Sequence, residues 1–161
     1  MQDSDFKLND LKADGATSPQ PKLADVTEYS EQDWQQHLSK EAYQVCRLAQ
    51  TEKPFSGELV FHQETGLYLC HCCHAPLFDS SNKYQSHCGW PTFDAPLSPQ
   101  CLVYKEDTRF NQHRIEVCCA RCDSHIGHLF TDGPRHTTGE RYCVNSIALD
   151  FEPPEQDANK A

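Results

Sequence analysis

Two C-x-x-C pairs, Cys70 with Cys73 and Cys119 with Cys122, stand 45 residues apart in a 161-residue chain that holds ten cysteines. This spacing constrains the fold more than any hydrophobic pattern does. The two-residue spacer lets a tight turn aim both sulfurs at one point. Two such knuckles on separate hairpins complete a tetrahedron of thiolates around zinc. A structural zinc of this kind contributes on the order of 10 kcal/mol to folding. Two other readings of these cysteines stand beside it. A thioredoxin-like dithiol needs its second cysteine on a helix that follows a strand, whereas Cys73 runs into His74-Ala75-Pro76-Leu77-Phe78, a poor helix. The cysteines can also be plain core, since free Cys is often buried without a ligand. Cys72 and Cys118 adjoin the four, and His71, His74 and His125 offer substitute ligands, but only the four give two matching knuckles.

Thiols on this scale imply disulfides, metal or redox catalysis, and the compartment decides among them. The start Met1-Gln2-Asp3-Ser4-Asp5-Phe6-Lys7 has no basic leader or apolar run, and no later window approaches the roughly 18 apolar residues of a membrane span. The expectation is a cytoplasmic protein without a disulfide scaffold. A net charge of -10 repels phosphate backbones and argues against nucleic-acid binding. The length suits one domain. Residues 1–26 are polar and carry Pro19 and Pro21, so they are expected to be a disordered tail. Residues 27–151 form the expected domain, and 152–161, starting Glu152-Pro153-Pro154-Glu155, a flexible C-terminal tail.

Within the domain, Ser30 with Asp33 three residues on forms a capping box for a short helix with Trp34 and Leu38 on one face. Ser39 caps a second helix, in which Ala42, Tyr43 and Cys46 keep helical spacing, and Pro54 stops the pattern soon after Gln50. Strand-like runs follow at Glu58 to Phe61, Gly66 to Cys70, Leu102 to Glu106, Arg114 to Cys119 and Arg141 to Phe151. None leads into a helix. The predicted fold is mainly β, two antiparallel sheets behind short N-terminal helices, rather than parallel β-α-β units.

Arg141-Tyr142-Cys143-Val144-Asn145 alternates, so period two places Arg141, Cys143 and Asn145 on one face and Tyr142 and Val144 on the other. A cation, a thiol and an amide then share a surface. A free thiol of pKa about 8.5 is only a few per cent thiolate at neutral pH, and lowering it by about two units corresponds to about 2.7 kcal/mol, within reach beside Arg141 and a histidine. The bland alternative is an ordinary strand with an incidental cysteine. Ser124-His125-Ile126-Gly127-His128 follows the second knuckle, so zinc would anchor the segment that carries two histidines, of which His128 can donate or relay a proton. Lone histidines are more often structural, and Trp90 can equally be core.

Taken together, Cys88-Gly89-Trp90-Pro91, Asp123-Ser124-His125-Ile126-Gly127-His128 and Arg141-Tyr142-Cys143-Val144-Asn145-Ser146 resemble the methionine-R-sulfoxide reductase B family in order and spacing. The similarity runs from Tyr29 to Phe151 and includes Thr51-Glu52-Lys53-Pro54-Phe55 and both knuckles. It implies two antiparallel β-sheets with N-terminal helices, one structural zinc on Cys70, Cys73, Cys119 and Cys122, and reduction of the R epimer of methionine sulfoxide, one of two epimers served by separate enzymes. Cys143 would be the nucleophile and become a sulfenic acid. His128, with His125 nearby, would protonate the leaving oxygen. Cys88 would resolve the sulfenic acid as a Cys88–Cys143 disulfide that thioredoxin reduces. Trp90 would receive the ε-methyl group of the substrate, Asn145 would hold the site by hydrogen bonds, and Arg141 would favour the thiolate. The implied partners are methionine-R-sulfoxide in oxidised proteins, with free substrate an option, and thioredoxin. No nucleic acid or membrane is expected, and the chain is expected to act as a monomer.

Two positions depart from the family pattern: His87 stands where glycine is more usual, and Thr92 where serine is. His87 is expected to affect how fast Cys88 resolves. Cys46, Cys72, Cys101 and Cys118 fall outside the signature, and Cys101 is the rival to Cys88. The alternative function, from another class, is a non-enzymatic zinc-knuckle binding module, which has no need of a paired nucleophile and resolver.

Overall fold

The computed structural model describes residue 26 and residues 28–155. The expected tails at 1–25 and 156–161 lie outside the described residues. At the two boundaries, Val26 is buried against the core and Glu152 closes a strand, so ordered packing reaches one residue beyond 27–151 at each end.

Local chemistry sets the first elements. Helix α1 (Glu31–His37) opens with the full capping box: Ser30 Oγ accepts the Asp33 N–H at 3.1 Å, and Asp33 Oδ2 accepts the Ser30 N–H at 3.0 Å. These bonds satisfy amides that no helical carbonyl can reach. Helix α2 (Lys40–Cys46) is capped by Ser39, whose hydroxyl accepts the Ala42 N–H. It ends at Cys46 rather than near Gln50, because Ala49 takes a left-handed conformation (φ 58°) that turns the chain away. Trp34 is buried beneath the Arg47 guanidinium, 4.4 Å from the ring centroid. Arg47 also donates to the Cys122 carbonyl (2.9 Å) and Ser124 Oγ (3.0 Å), tying the helix pair to the second knuckle.

Eight strands follow: β1 (Leu67–Cys70), β2 (Pro76–Asp79), β3 (Thr92–Phe93), β4 (Leu102–Asp107), β5 (Arg114–Cys119), β6 (His125–Phe130), β7 (Arg141–Val144) and β8 (Leu149–Glu152). They build two antiparallel sheets, ordered β2-β1-β8 and β3-β7-β6-β5-β4. The mainly β, two-sheet expectation is met. Phe78 and Phe93, one from each sheet, stack with centroids 4.3 Å apart, and Tyr68 meets Phe93 edge-on at 5.1 Å. All three are fully buried, and each contributes about 2–3 kcal/mol relative to an exposed ring.

The strand pattern differs from expectation in several places, and β2, β3 and β6 lie where no strand run is predicted. Glu58 to Phe61 forms turns, because the Leu59 N–H is taken by Ser146 Oγ (3.0 Å) instead of a ladder. Residues 141–151 are two strands in different sheets, divided by a 3-10 turn at Ser146–Ala148. Strand β6 is hidden in the sequence by Gly127, which is there because β7 passes so close: a Cβ would stand 2.2 Å from the Cys143 carbonyl oxygen. Among the described residues no helix is long and apolar enough to cross a membrane.

Candidate active site and metal centre

The two knuckles have the same backbone. Cys70 ends β1 and Cys119 ends β5, and each is followed by a turn whose fifth residue is left-handed, His74 (φ 69°) and Asp123 (φ 64°). In each, that residue's N–H returns to the first cysteine's carbonyl at 2.8 Å, while the first cysteine's N–H bonds the carbonyl of Ala75 or Ser124. The four sulfurs lie within 4.8 Å of one another, with Cys70–Cys122 and Cys73–Cys119 both at 3.6 Å. A tetrahedron with metal–sulfur bonds of about 2.3 Å has edges of about 3.8 Å, so the cluster is already the size of a metal site. All four residues are buried. Cys73 sits in a turn, which removes the thioredoxin-like reading, and the substitute ligands are engaged elsewhere. His71 and His74 face Asp150 (2.9 and 3.8 Å), and His125 Nδ1 lies 2.7 Å from Glu116 Oε2.

The second sheet aligns one row of side chains across all five strands. Thr92, Cys143, His128, Glu116 and Lys105 are successive cross-strand partners from β3 to β4 and therefore share a face. Tyr142 and Val144, on the opposite face, are buried in the core, as the alternation requires. Next to this row, Cys88 Sγ lies 3.2 Å from Cys143 Sγ. Cys101 instead contacts Ser98 Oγ at 3.3 Å. Cys88 also meets Ser86 Oγ at 3.0 Å and Thr92 Oγ1 at 3.2 Å. The hydrogen bond from Cys143 draws the Cys88 thiol down to about 4 against the cost of burial, with Ser86 and Thr92 assisting. Sharing that proton pushes Cys143 well above the ordinary thiol range, burial adds to this, and Arg141 opposes it. The expected help from Arg141 is thus present but outweighed while both thiols are reduced. Arg141 is itself held by Asp132, its Nε–H donating to Oδ1 at 2.8 Å.

His87 and Gly89, on either side of Cys88, both have positive φ (64° and 99°). Glycine suits the His87 position for that reason, and histidine is among the residues that tolerate it, at a cost of about 1 kcal/mol. His128 Nε2 donates to the buried Asp107 Oδ2 at 2.7 Å. Burial holds the imidazole below its ordinary range despite that carboxylate. The His125 and His128 rings meet edge-on at 5.4 Å.

Asn145 does not share the outer face with Cys143. It is buried past the end of β7, where its Nδ2 donates to the Ile126 carbonyl (3.0 Å) and its Oδ1 accepts the Glu52 N–H (3.0 Å). Glu52 is the hub that sequence reasoning missed. Its carbonyl accepts the Trp90 indole N–H (3.0 Å), and its carboxylate accepts the N–H groups of Ser146 (2.7 Å) and Ile147 (3.0 Å). Asp107, Asp132 and Ser86 were missed as well; their partners are fixed by strand register and loop packing, which no local pattern announces. A cleft of about 470 Å³, lined by Tyr84, Ser86, Cys88, Asp132, Pro134 and Arg141, reaches the Cys88 thiol.

With this geometry in place, comparison with known proteins is informative. A SelR domain profile matches residues 38–153. A protein of Chromohalobacter salexigens named peptide methionine sulfoxide reductase MsrB is 49% identical over 133 residues, covering 83% of this chain and 100% of its own. Relatives of the same name from Pseudomonas putida (49% over 122 residues, 76% of this chain, 91% of theirs) and Hahella chejuensis (46% over 136, 84% and 97%) agree. The profile spans the knuckles, the Cys88 loop and β7, and the chain belongs to the SelR-domain family of MsrB-type peptide methionine sulfoxide reductases.

Proposed function

We propose that this protein reduces the R epimer of methionine sulfoxide in oxidised proteins, and the free amino acid as well, using Cys143 as nucleophile and Cys88 as resolving thiol. The observation that carries the residue roles is the 3.2 Å separation of the two sulfurs, one of which, Cys88, lines an open cleft. Cys143 sulfur attacks the sulfoxide sulfur as the Cys143 proton passes to the sulfoxide oxygen. The sulfoxide oxygen is protonated, methionine leaves, and the oxygen remains on Cys143 as a sulfenic acid. Cys88 then attacks that sulfur, water departs, and a disulfide remains. Two thiols have supplied the two electrons. Thioredoxin, a dithiol, restores them by exchange.

The neutral His128, its Nε2 proton engaged by Asp107, serves as a relay to the oxygen rather than as a standing acid, with His125 beside it. Trp90 receives the ε-methyl group, on a ring whose N–H is anchored to Glu52. Asn145 positions Glu52, and Arg141 stabilises negative charge at Cys143. Zinc fits the four buried thiolates: the donor set is all sulfur, the spacing is tetrahedral, and no open position is left for chemistry, so its part is to hold the knuckles. Residues 27–151 form the catalytic domain, acting as a monomer. Eight cysteines outside the catalytic pair that must stay reduced favour the cytoplasm.

Purified protein incubated with separated R and S epimers, first with dithiothreitol and then with thioredoxin, tests the reading. Consumption of the R epimer alone supports it, and consumption of S alone or of neither refutes it. Peptide mapping after one turnover without reductant locates the disulfide; a Cys143–Cys101 bond reassigns the resolver. Cys143→Ser separates this reading from a mere binding module, since the enzyme loses turnover while keeping metal and fold.

A further inference from the structure

Beside the Cys88 loop the chain exposes two aromatic rings that the chemistry does not use. Phe55 and Phe61 are 58% and 60% exposed, and their rings stack with centroids 6.1 Å apart and planes 23° from parallel. The Phe55 N–H donates to the Gly89 carbonyl at 2.7 Å, and a Cβ on Gly89 would stand 3.2 Å from Phe55 Cε2. The ring therefore lies against the turn between Cys88 and Trp90, and the aromatic pair stands beside the loop that carries the Cys88 thiol. Phe55 is held at φ 64°, a conformation that bulky residues rarely adopt. The fold accepts that strain and leaves the ring in solvent.

We infer that Phe55 and Phe61 form a docking step for the apolar residues that flank an oxidised methionine in a polypeptide, a reading that rests on the reductase activity proposed above. Methionine in proteins sits mainly among apolar neighbours, and its oxidation loosens that packing and uncovers them. A substrate strand that places its sulfoxide at Cys143 has its flanking residues beside the Cys88–Trp90 turn, where an apolar aromatic step rewards Leu or Phe next to the sulfoxide over Ser or Asn. The step sets substrate preference through KM and takes no part in sulfur chemistry.

Two peptides of equal length test this, each with one methionine-R-sulfoxide, flanked in one by Leu and Phe and in the other by Ser and Asn, with dithiothreitol as reductant. Wild type is expected to favour the apolar peptide by about tenfold in kcat/KM, expressed in KM. Phe61→Ser and the Phe55→Ser/Phe61→Ser pair are expected to bring the ratio close to one. Phe61 makes no hydrogen bond to the Cys88 loop, so its variant carries the test even if Phe55→Ser fails to fold. An unchanged ratio in the variants, or an equal loss on both peptides, overturns the inference. So does a changed sedimentation coefficient with an unchanged ratio, which would mean that the patch pairs with a second copy. Wild type that reduces neither peptide removes the reductase reading itself, an outcome distinct from reduction of both without preference.

Discussion

Replacing Glu52 separates the support of the site from its chemistry. Glu52 Oε2 and Oε1 accept the N–H groups of Ser146 and Ile147, which open the 3-10 turn after β7 and have no carbonyl of their own turn to meet. Glu52→Ala strands both donors. At about 1–3 kcal/mol for each unsatisfied group the loss centres on about 4 kcal/mol, and at an m-value of about 2 kcal/mol/M the urea midpoint falls by about 2 M. Glu52→Gln keeps one carbonyl oxygen for one of the two, so about half of that is expected. The backbone bonds of Glu52 to Asn145 and Trp90 survive both changes.

The pH dependence carries a sign. Burial raises the Glu52 pKa above its ordinary value, against the two backbone hydrogen bonds. The folded state therefore holds this proton more tightly than the unfolded state. Its contribution is complete below the unfolded pKa of about 4.3 and declines as pH rises through the raised folded value. The stability gap between wild type and Glu52→Gln, which cannot titrate, should be wider at pH 5 than at pH 7.5. Urea titrations followed by tryptophan fluorescence in zinc-replete buffer measure all of this. Variants within about 0.5 kcal/mol of wild type, an Ala loss no larger than the Gln loss, or a gap that widens with pH would refute the reasoning.

Gly127→Ala drives a Cβ into the Cys143 carbonyl and Val144 Cα, both backbone, so it should cost about 3 kcal/mol or more, roughly 10 °C in melting temperature, and slow disulfide formation between Cys88 and Cys143 in single-turnover mapping. Asp107→Asn should cost about 3 kcal/mol at neutral pH, because the carboxylate is buried among Arg109, Arg114 and His128. Arg109 first, then His128, hold this carboxyl far below its ordinary range against burial. Its contribution is present above the unfolded pKa and is lost only as pH falls through the depressed folded value, so the urea-midpoint gap to wild type should be the same at pH 4.5 as at pH 7. Stripping the metal with a chelator, or Cys119→Ser, removes a contribution of about 10 kcal/mol from a domain whose whole stability is of that order, so circular dichroism should report unfolding together with metal release.

What the sequence made legible is what short-range chemistry decides. Ser30 and Asp33 cap a helix over three residues, a C-x-x-C knuckle closes over five, and the Arg141–Val144 alternation needs only neighbours. Glu58 to Phe61 failed as a strand because a partner 87 residues away, Ser146 Oγ, takes the Leu59 amide. Asn145 follows the alternating pattern yet turns inward, because the 3-10 turn begins there and redirects the chain to the other sheet. Glu52 and Asp107 read as ordinary surface acids; one is occupied 94 residues away and the other 21, by contacts that exist only once the sheets are assembled. Cys88 and Cys143 were paired by resemblance, and their proximity follows from β3 lying beside β7.

The knuckle cluster has a further consequence if the protein is oxidised on every cycle as proposed. In the proposed cycle each turnover makes an electrophilic sulfur on Cys143 in a chain with nine other thiols, any of which could capture it and leave a scrambled, dead product. Four of them are buried together in the knuckle cluster, where a bound metal would commit their lone pairs and withdraw them from that competition. Zinc, having no redox chemistry of its own, would act there as a chemist's protecting group: it would mask the sulfurs that must never react and leave Cys88, 3.2 Å from Cys143, as the nearest free nucleophile.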